Sequence, residues 1–382
     1  SGNFHIGNKD SKTDMILIKD GDLVISGINV AKGAMGIYSG ENVTATIHYS
    51  SYTFDSNKIN VEYFKRFLKS SEFIELLNEQ VKGGIKTEIK PKHILPLEIQ
   101  LPDINTQAQI VQHFENVEDD INHVAQEVLT QQSLVKQLKQ TILQEAIEGK
   151  LTAKWRTKNP EFDISKDFYE LNSKAIKKPF EIPETWTWIK LDDLVNQKRG
   201  ITYGIVKMGK EPTSDGVYAL RCSDVKFRVI EIDNARKVTK EVSNQYKRTI
   251  LHGGEILLNI RGTLGGCGIA DDSLKGFNIA REIGLIPLEN SGFTEYVFNV
   301  LTSPYFNTQI QNNLRGIAYK GLNLNLLRNF PIPLPPIEEQ KEIVATIEKL
   351  FALCDELESE INQNKTTVDN LMATVLKEAF KQ

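Results

Sequence analysis

A chain of 382 residues with 40% hydrophobic and 25% charged side chains has the make-up of an ordinary globular protein with room for two or more domains. No apolar run approaches the roughly 18 residues of a membrane span, no signal-peptide pattern opens the chain, and Cys222, Cys267 and Cys354 have neither metal-ligand nor disulfide-framework spacing. A membrane or secreted protein is thereby disfavoured, and a reducing cytoplasm with free thiols is expected. The net charge of −4 hides a segregation. Residues 186–333 carry nineteen Lys and Arg against fourteen Asp and Glu, whereas 104–150 carry three against seven and 334–382 five against ten. A basic region flanked by acidic ones is expected where one domain meets phosphates and its neighbours do not.

In chain order, Ser1 in place of Met reads as a trimmed or tagged start, and residues 1–103 read as a first mixed domain. Its "DGDLVISGI" from Asp20 and "GAMGI" from Gly33 suit glycine-punctuated strands, and 61–80 has helical spacing. Residues 104–150 read as one long helix. Ile110, Phe114, Val117, Ile121, Val124, Val128, Gln131, Val135, Leu138 and Ile142 follow one another in alternating steps of four and three, which is a coiled-coil seam. Residues 151–185, polar and Lys-rich, read as a linker with one short helix. Residues 186–333 read as a second mixed domain, with strands expected at 218–225, 227–232, 254–260 and 283–288 and helical spacing over 294–313. Pro331, Pro333, Pro335 and Pro336 then stop any upstream helix and preset the next one, at 334–382. Its seam runs Ile343, Ile347, Leu350, Cys354, Leu357, Ile361, Asn364, Val368, Leu371, Val375.

The second half repeats the first at a shift of 233 residues: "LPDINTQAQIV" from Leu101 meets "LPPIEEQKEIV" from Leu334, and Gln131 meets Asn364 as the polar break in each seam. Such a period is far too long for a solenoid. The unit is a mixed domain followed by a long helix, present twice. Each helix of about 45 residues would be about 65 Å long, and so narrow an apolar stripe needs a partner, so the two are expected to pack on each other.

"IPETWTWIKLDDL" from Ile182, "GEILLNIRGTLGG" from Gly254, "IPLPPIEEQKEIV" from Ile332 and "LQEAIEGKLTAKWR" from Leu143 together resemble the specificity (S) subunits of Type I restriction–modification systems, over nearly the whole chain. The resemblance implies an α+β fold in which two target-recognition domains alternate with two conserved helices. The helices pack as an antiparallel coiled coil and relate the halves by a pseudo-twofold axis. It implies reading of a bipartite double-stranded DNA target, docking of two methyltransferase subunits and of restriction subunits, and no catalysis in this chain. S-adenosylmethionine would then sit on the methyltransferase subunit. The pattern departs from the family at its start: the twin of the second domain should begin about 48 residues before residue 1, so the first domain is expected to lack its N-terminal part.

Base reading calls for donors and acceptors on loops over a rigid sheet, with Arg or Lys suited to guanine and Asn or Gln to adenine. In the second domain the candidates are Gln197, Lys198, Arg199, Thr202 and Tyr203 beside flexible Gly200 and Gly204; Arg221, Ser223, Lys226 and Arg228; Arg261 and Thr263; and Arg315, Tyr319, Lys320, Asn323 and Asn325. In the first they are Ser26, Asn29, Lys32, Lys82 and Lys86. Glu338, Glu339 and Glu342, in the first turns of the second helix, are read as exposed and as part of the methyltransferase docking surface. Gly262, Gly265, Gly266 and Gly268 suit tight turning, since no Lys-Ser or Lys-Thr follows as in a phosphate loop. The histidines form no ligand set and no nucleophile motif appears. The alternative class is a coiled-coil scaffold whose α+β domains bind protein or carbohydrate.

If the helices act as a ruler, adding one heptad to both lengthens it by about 10 Å, or about three base pairs. With a complete first domain, mapping of modified adenines should then show the same half-site bases farther apart. Unchanged spacing with changed bases would contradict the ruler.

Overall fold

The computed structural model describes residues 14–26, 35–70, 98–164, 178–314 and 321–379, together with Phe73, Glu75, Leu95 and Ile176. It divides into two units, residues 1–132 with 360–382 and residues 133–359, so each long helix contributes to both.

In the first unit β1 (Met15–Ile18) pairs antiparallel with β4 (Val43–Thr46), and β2 (Leu23–Ser26) lies between β3 (Met35–Ile37) and β5 (Tyr49–Tyr52). Leu23, Ile25, Met35 and Ile37 pack against Phe64 of α1 (Val61–Phe67), where Asn60 caps the helix by accepting from the Tyr63 N–H. The long helix α2 (Ile104–Ile147) is fastened to this layer by Gln107. That buried amide donates to Lys58 O (2.9 Å) and Pro102 O (2.8 Å) and accepts from the Asn60 N–H (2.8 Å). Arg66 adds an ion pair to Glu118 (3.0 Å) and lies over the Phe114 ring at 5.9 Å.

In the second unit α2 ends at Gly149, whose φ of +72° suits glycine and whose Cβ, if present, would lie 2.6 Å from Pro183 Cγ. There follow α3 (Ala153–Lys158), β6 (Thr187–Lys190), β7 (Thr202–Tyr203), β8 (Val217–Leu220), β9 (Val225–Lys226), β10 (Val229–Ile230), β11 (Arg236–Val238), α4 (Lys240–Gln245), β12 (Ile256–Asn259), β13 (Cys267–Ile269), β14 (Asn278–Ile279), β15 (Ile283–Ile286), α5 (Thr294–Leu301), α6 (Pro304–Leu314), α7 (Leu324–Arg328), β16 (Pro331–Leu334) and the second long helix, α8 (Ile337–Ala379). The sheets run β13-β12-β15-β7, β11-β8-β14 and β16-β6. Leu220, Leu251, Leu257, Ile279 and Leu285 fill the core between them.

Three sequence expectations change here. The strand expected at 218–225 stops at Leu220 because Asp224 folds 221–224 into a turn, accepting from the Arg221 N–H (2.8 Å) while its own N–H reaches Arg221 O (2.9 Å). The helix expected over 294–313 breaks at Thr302–Ser303: the Ser303 hydroxyl accepts from the Phe306 N–H (3.3 Å), and Pro304 opens a new helix where its missing N–H costs nothing. The segment "PIPL", read as a helix stop, is also an edge strand. Pro331 and Pro333 alternate along it, and their carbonyls accept from the Tyr305 and Tyr296 hydroxyls.

The reading of Glu339 as an exposed docking residue does not hold, because it is not exposed. Its side chain is fully buried and accepts from Thr152 Oγ1 (2.7 Å), Arg156 Nη2 (2.7 Å) and Trp186 Nε1 (2.8 Å). Glu338 and Glu342 are half-buried. With Glu339 beside Thr152 and Asp355 beside Lys139 (2.7 Å), the two long helices run antiparallel in this unit.

The seam buries every seventh residue. In the second unit Val135, Ile142, Ile347 and Cys354 are inside, as are Ile121, Val128 and Ile361 in the first. The other half of the expected seam is mixed: Ile343 is buried and Ile110, Val117 and Leu350 are half-buried, whereas Leu138 and Leu357 in the second unit are each 44% exposed, and Val124 and Leu371 in the first 46% and 47%. Two helices in contact cover one strip on each, which leaves these four positions of the second strip exposed.

Candidate nucleic-acid interface

Strand direction decides which loops of the second unit share an edge. β12 ends at Asn259, opposite Ile283 where antiparallel β15 begins, and β7 runs antiparallel to β15 in turn. The exits of β7, β8 and β12 and the entrance of β15 therefore lie together. Hydrogen bonds join them: Ala280 N–H to Leu220 O (2.7 Å), Arg281 N–H to Ile205 O (2.9 Å), Ile260 N–H to Glu282 O (2.8 Å) and Leu322 N–H to Ile260 O (2.7 Å).

This loop end gathers Arg221, Ser223, Arg261 and Thr263 from the sequence candidates. It adds Arg281 and, two residues beyond Ile205, exposed Lys207, neither of which was singled out. The signal for Arg281 was its place just before an expected strand whose antiparallel pairing with 254–260 sets it beside Arg261. Arg221 donates to Asn234 O (2.9 Å) with its side chain 38% exposed, and Arg281 stands 3.8 Å from Glu282 with 47% exposed. Such arginines are anchored and still presented to solvent, the arrangement a groove reader needs.

Arg199 lies at the opposite end of the same sheet. It binds the carboxylate of Glu255, which precedes β12, and Ile250 O (2.8 Å), while Arg248 donates back to Arg199 O (2.7 Å). Glu255 is 3% exposed and also takes the His252 and Gly253 N–H groups (2.7 and 2.9 Å). Six residues of strand, about 20 Å, separate it from Arg261. Arg199 closes that end of the sheet and is not placed to read the bases Arg261 would read; Lys198 is exposed beside it. Thr202 and Tyr203 lie along the edge strand β7, Tyr203 43% exposed. Gly204 serves close packing and not flexibility, since a Cβ there would lie 1.9 Å from Ile279 O.

Arg228 is the clearest departure. At φ +64° its side chain turns inward, 4.4 Å from the Phe298 ring centroid and 5.1 Å from that of Phe351 on α8, and donates to Thr302 Oγ1 (2.7 Å). Burial lowers its pKa, the nearby Cys267 and Glu295 opposing the shift, and burial pushes the Cys267 thiol up to about 12. Arg228 pins the recognition domain to the helix. Lys226, two residues before, stays exposed. The Asn323 side chain caps α7 by accepting from the Asn325 N–H (2.8 Å), and Asn325 accepts from Arg328 (3.3 Å). Ser26 is buried with an internal partner. Asn29, Lys32, Lys82, Lys86, Arg315, Tyr319 and Lys320 lie outside the described residues.

Residues 183–364 match the family model of the Type I restriction modification DNA specificity domain. That match makes residues 183–364 a domain of this family, and the rest of the chain is similar to Type I specificity subunits. It is 27% identical over 326 residues to the EcoBI specificity subunit of Escherichia coli, covering 85% of this chain and 66% of that one. To the EcoKI subunit of Escherichia coli K12 it is 24% identical, covering 84% and 64%. It thus spans slightly under two thirds of the length of these two relatives. The MjaVIII subunit of Methanocaldococcus jannaschii is 25% identical, covering 97% and 81%. The fold is shared with a chain solved in work on the complex assembly and conformational transition of the type I R-M system (TM-score 0.59, 16% identity, 96% and 83% covered). It is also shared with the HsdS subunit from Thermoanaerobacter tengcongensis (TM-score 0.53, 17% identity, 95% and 81% covered).

Removing Arg199 leaves the Glu255 carboxylate buried without its cation, so Arg199→Ala is expected to lower unfolding free energy by about 3–5 kcal/mol. Arg261→Ala, on the loop end, should stay within about 1 kcal/mol. Urea denaturation compares the two; equal small losses would contradict the clamp.

Proposed function

We propose that this chain is the non-catalytic, DNA-reading subunit of a Type I restriction–modification complex in the cytoplasm. Its second recognition domain reads one half of a bipartite duplex target through the loop end. The carrying observation is the convergence of Arg221, Arg261 and Arg281, beside strands of two sheets, at one loop end. A guanidinium suits the guanine edge in the major groove and phosphates beside it. The segregation of basic charge to residues 186–333 supports the same reading.

Exposed apolar positions on the long helices support docking of two methyltransferase subunits, which would bring S-adenosylmethionine, and through them of restriction subunits. Leu138 and Leu357 in the second unit, and Val124 and Leu371 in the first, suit apolar helices of a partner better than the glutamates first considered. Glu339 is spent inside the fold.

The test is a mobility shift with the full chain on duplexes enriched from a randomised pool, across salt. Arg261→Ala and Arg281→Ala should each weaken binding to the enriched duplex by about 1–3 kcal/mol, and wild-type affinity should fall steeply with salt. Undiminished binding by both variants would overturn the assignment of the loop end.

A further inference from the structure

We propose that Asn259 is a positioning residue that locks the loops 221–225 and 261–266 into one rigid reader, so that the bases each loop faces are specified jointly. The proposal rests on the DNA-reading assignment of the loop end and adds a residue that touches no DNA.

Asn259 closes an otherwise apolar strand, "ILLN", and is 2% exposed. A buried amide is tolerated when its hydrogen-bonding groups are used. Its Nδ2 faces three carbonyls from two loops: Cys222 O at 3.0 Å, Val225 O at 2.9 Å and Thr263 O at 3.1 Å. Its backbone N–H donates to Gly266 O (2.8 Å), closing the loop that carries Arg261 and Thr263. Gly266 is matched to it, because a Cβ there would lie 2.2 Å from both Asn259 Nδ2 and Val225 O.

Each loop is already ordered by itself. Asp224 accepts from the Arg221 N–H and from Ser223 Oγ (both 2.8 Å), fixing the first, and Gly262 turns the second at φ +74°. The Asn259 amide ties one to the other. Its Oδ1 meets no donor among the described residues, a cost that a residue serving the core alone would not carry. In the first repeat, 233 residues earlier, the matching position is Ser26, which is also buried and internally bonded. Both copies thus end this strand with a short polar side chain where an apolar one would continue the core.

Asn259→Asp keeps the shape and removes the donors. Gly266→Ala drives a methyl into the same amide and carries the test if the aspartate variant does not fold. Full-length wild type and variants are each used to select duplexes from a randomised pool at fixed ionic strength, with thermal midpoints and affinity for a non-target duplex measured alongside. Base positions belonging to each loop are assigned from Arg221→Ala and Arg261→Ala. Either folded variant is expected to keep non-target affinity within about twofold, since phosphate contacts persist. It should lose about tenfold or more of its preference at positions of both loops together. Wild-type preference in a folded variant, or loss confined to one loop, would overturn the proposal. A wild-type chain that enriches no sequence would overturn the DNA-reading assignment itself, and is distinguishable from either.

Discussion

A carboxylate without water around it organises the second unit. Glu339 begins α8, and its charge is met by Thr152 and Arg156 from just beyond α2 and by the Trp186 indole where the second recognition domain begins. An unpaired buried charge is costly enough that these segments must be in place together. The knot therefore fixes three things at once: the antiparallel direction of the helices in this unit, the start of the domain, and the place of α3. The glutamate that looked like an ordinary first-turn residue of a helix turns out to be the joint.

Each α+β domain is then fastened to its helix by an arginine, at matched helix positions but by different chemistry. In the first unit Arg66 of α1 pairs with Glu118. In the second, the residue 233 later on the helix is Phe351, and Arg228 from the β9–β10 hairpin stacks on it; the counterpart of Arg66 is Asn299. The duplicated module kept the joint and changed its parts. Because Arg228 lies in the hairpin turn, two residues past the first strand, and that strand adjoins the 221–224 turn, the pin lies close to the loop end. Rigid fastening there means that a reader and its helix move as one within the unit.

Much of this was legible in the sequence, and the failures have physical causes. Steps of four and three announced both helices, and a fixed shift of 233 announced the duplication. The spacing could not say how much of the seam two helices would cover, so Leu138 and Leu357 were expected inside. Arg199 and Arg261 looked alike, each beside glycine near a strand, yet strand direction places them at opposite ends of one sheet. That direction depends on pairing between segments about 30 residues apart in β12 and β15, which local pattern does not encode. Arg228 sat in what read as a strand; its inward turn needed the positive φ and two aromatic rings from α5 and α8. Asn259 was hidden because it fell inside the strand expected at 254–260, where the local pattern does not show that its amide would bridge two loops.

The central claim is that the loop end, and not the Arg199 end, meets DNA. Hydrogen exchange of the full chain with and without an enriched duplex tests it most directly. The account predicts slowed exchange at 205–207, 221–225, 260–266 and 280–282, with residues 196–200 and 248–255 unchanged. Protection concentrated around Arg199 and Arg248, with the loop end unaffected, would contradict it.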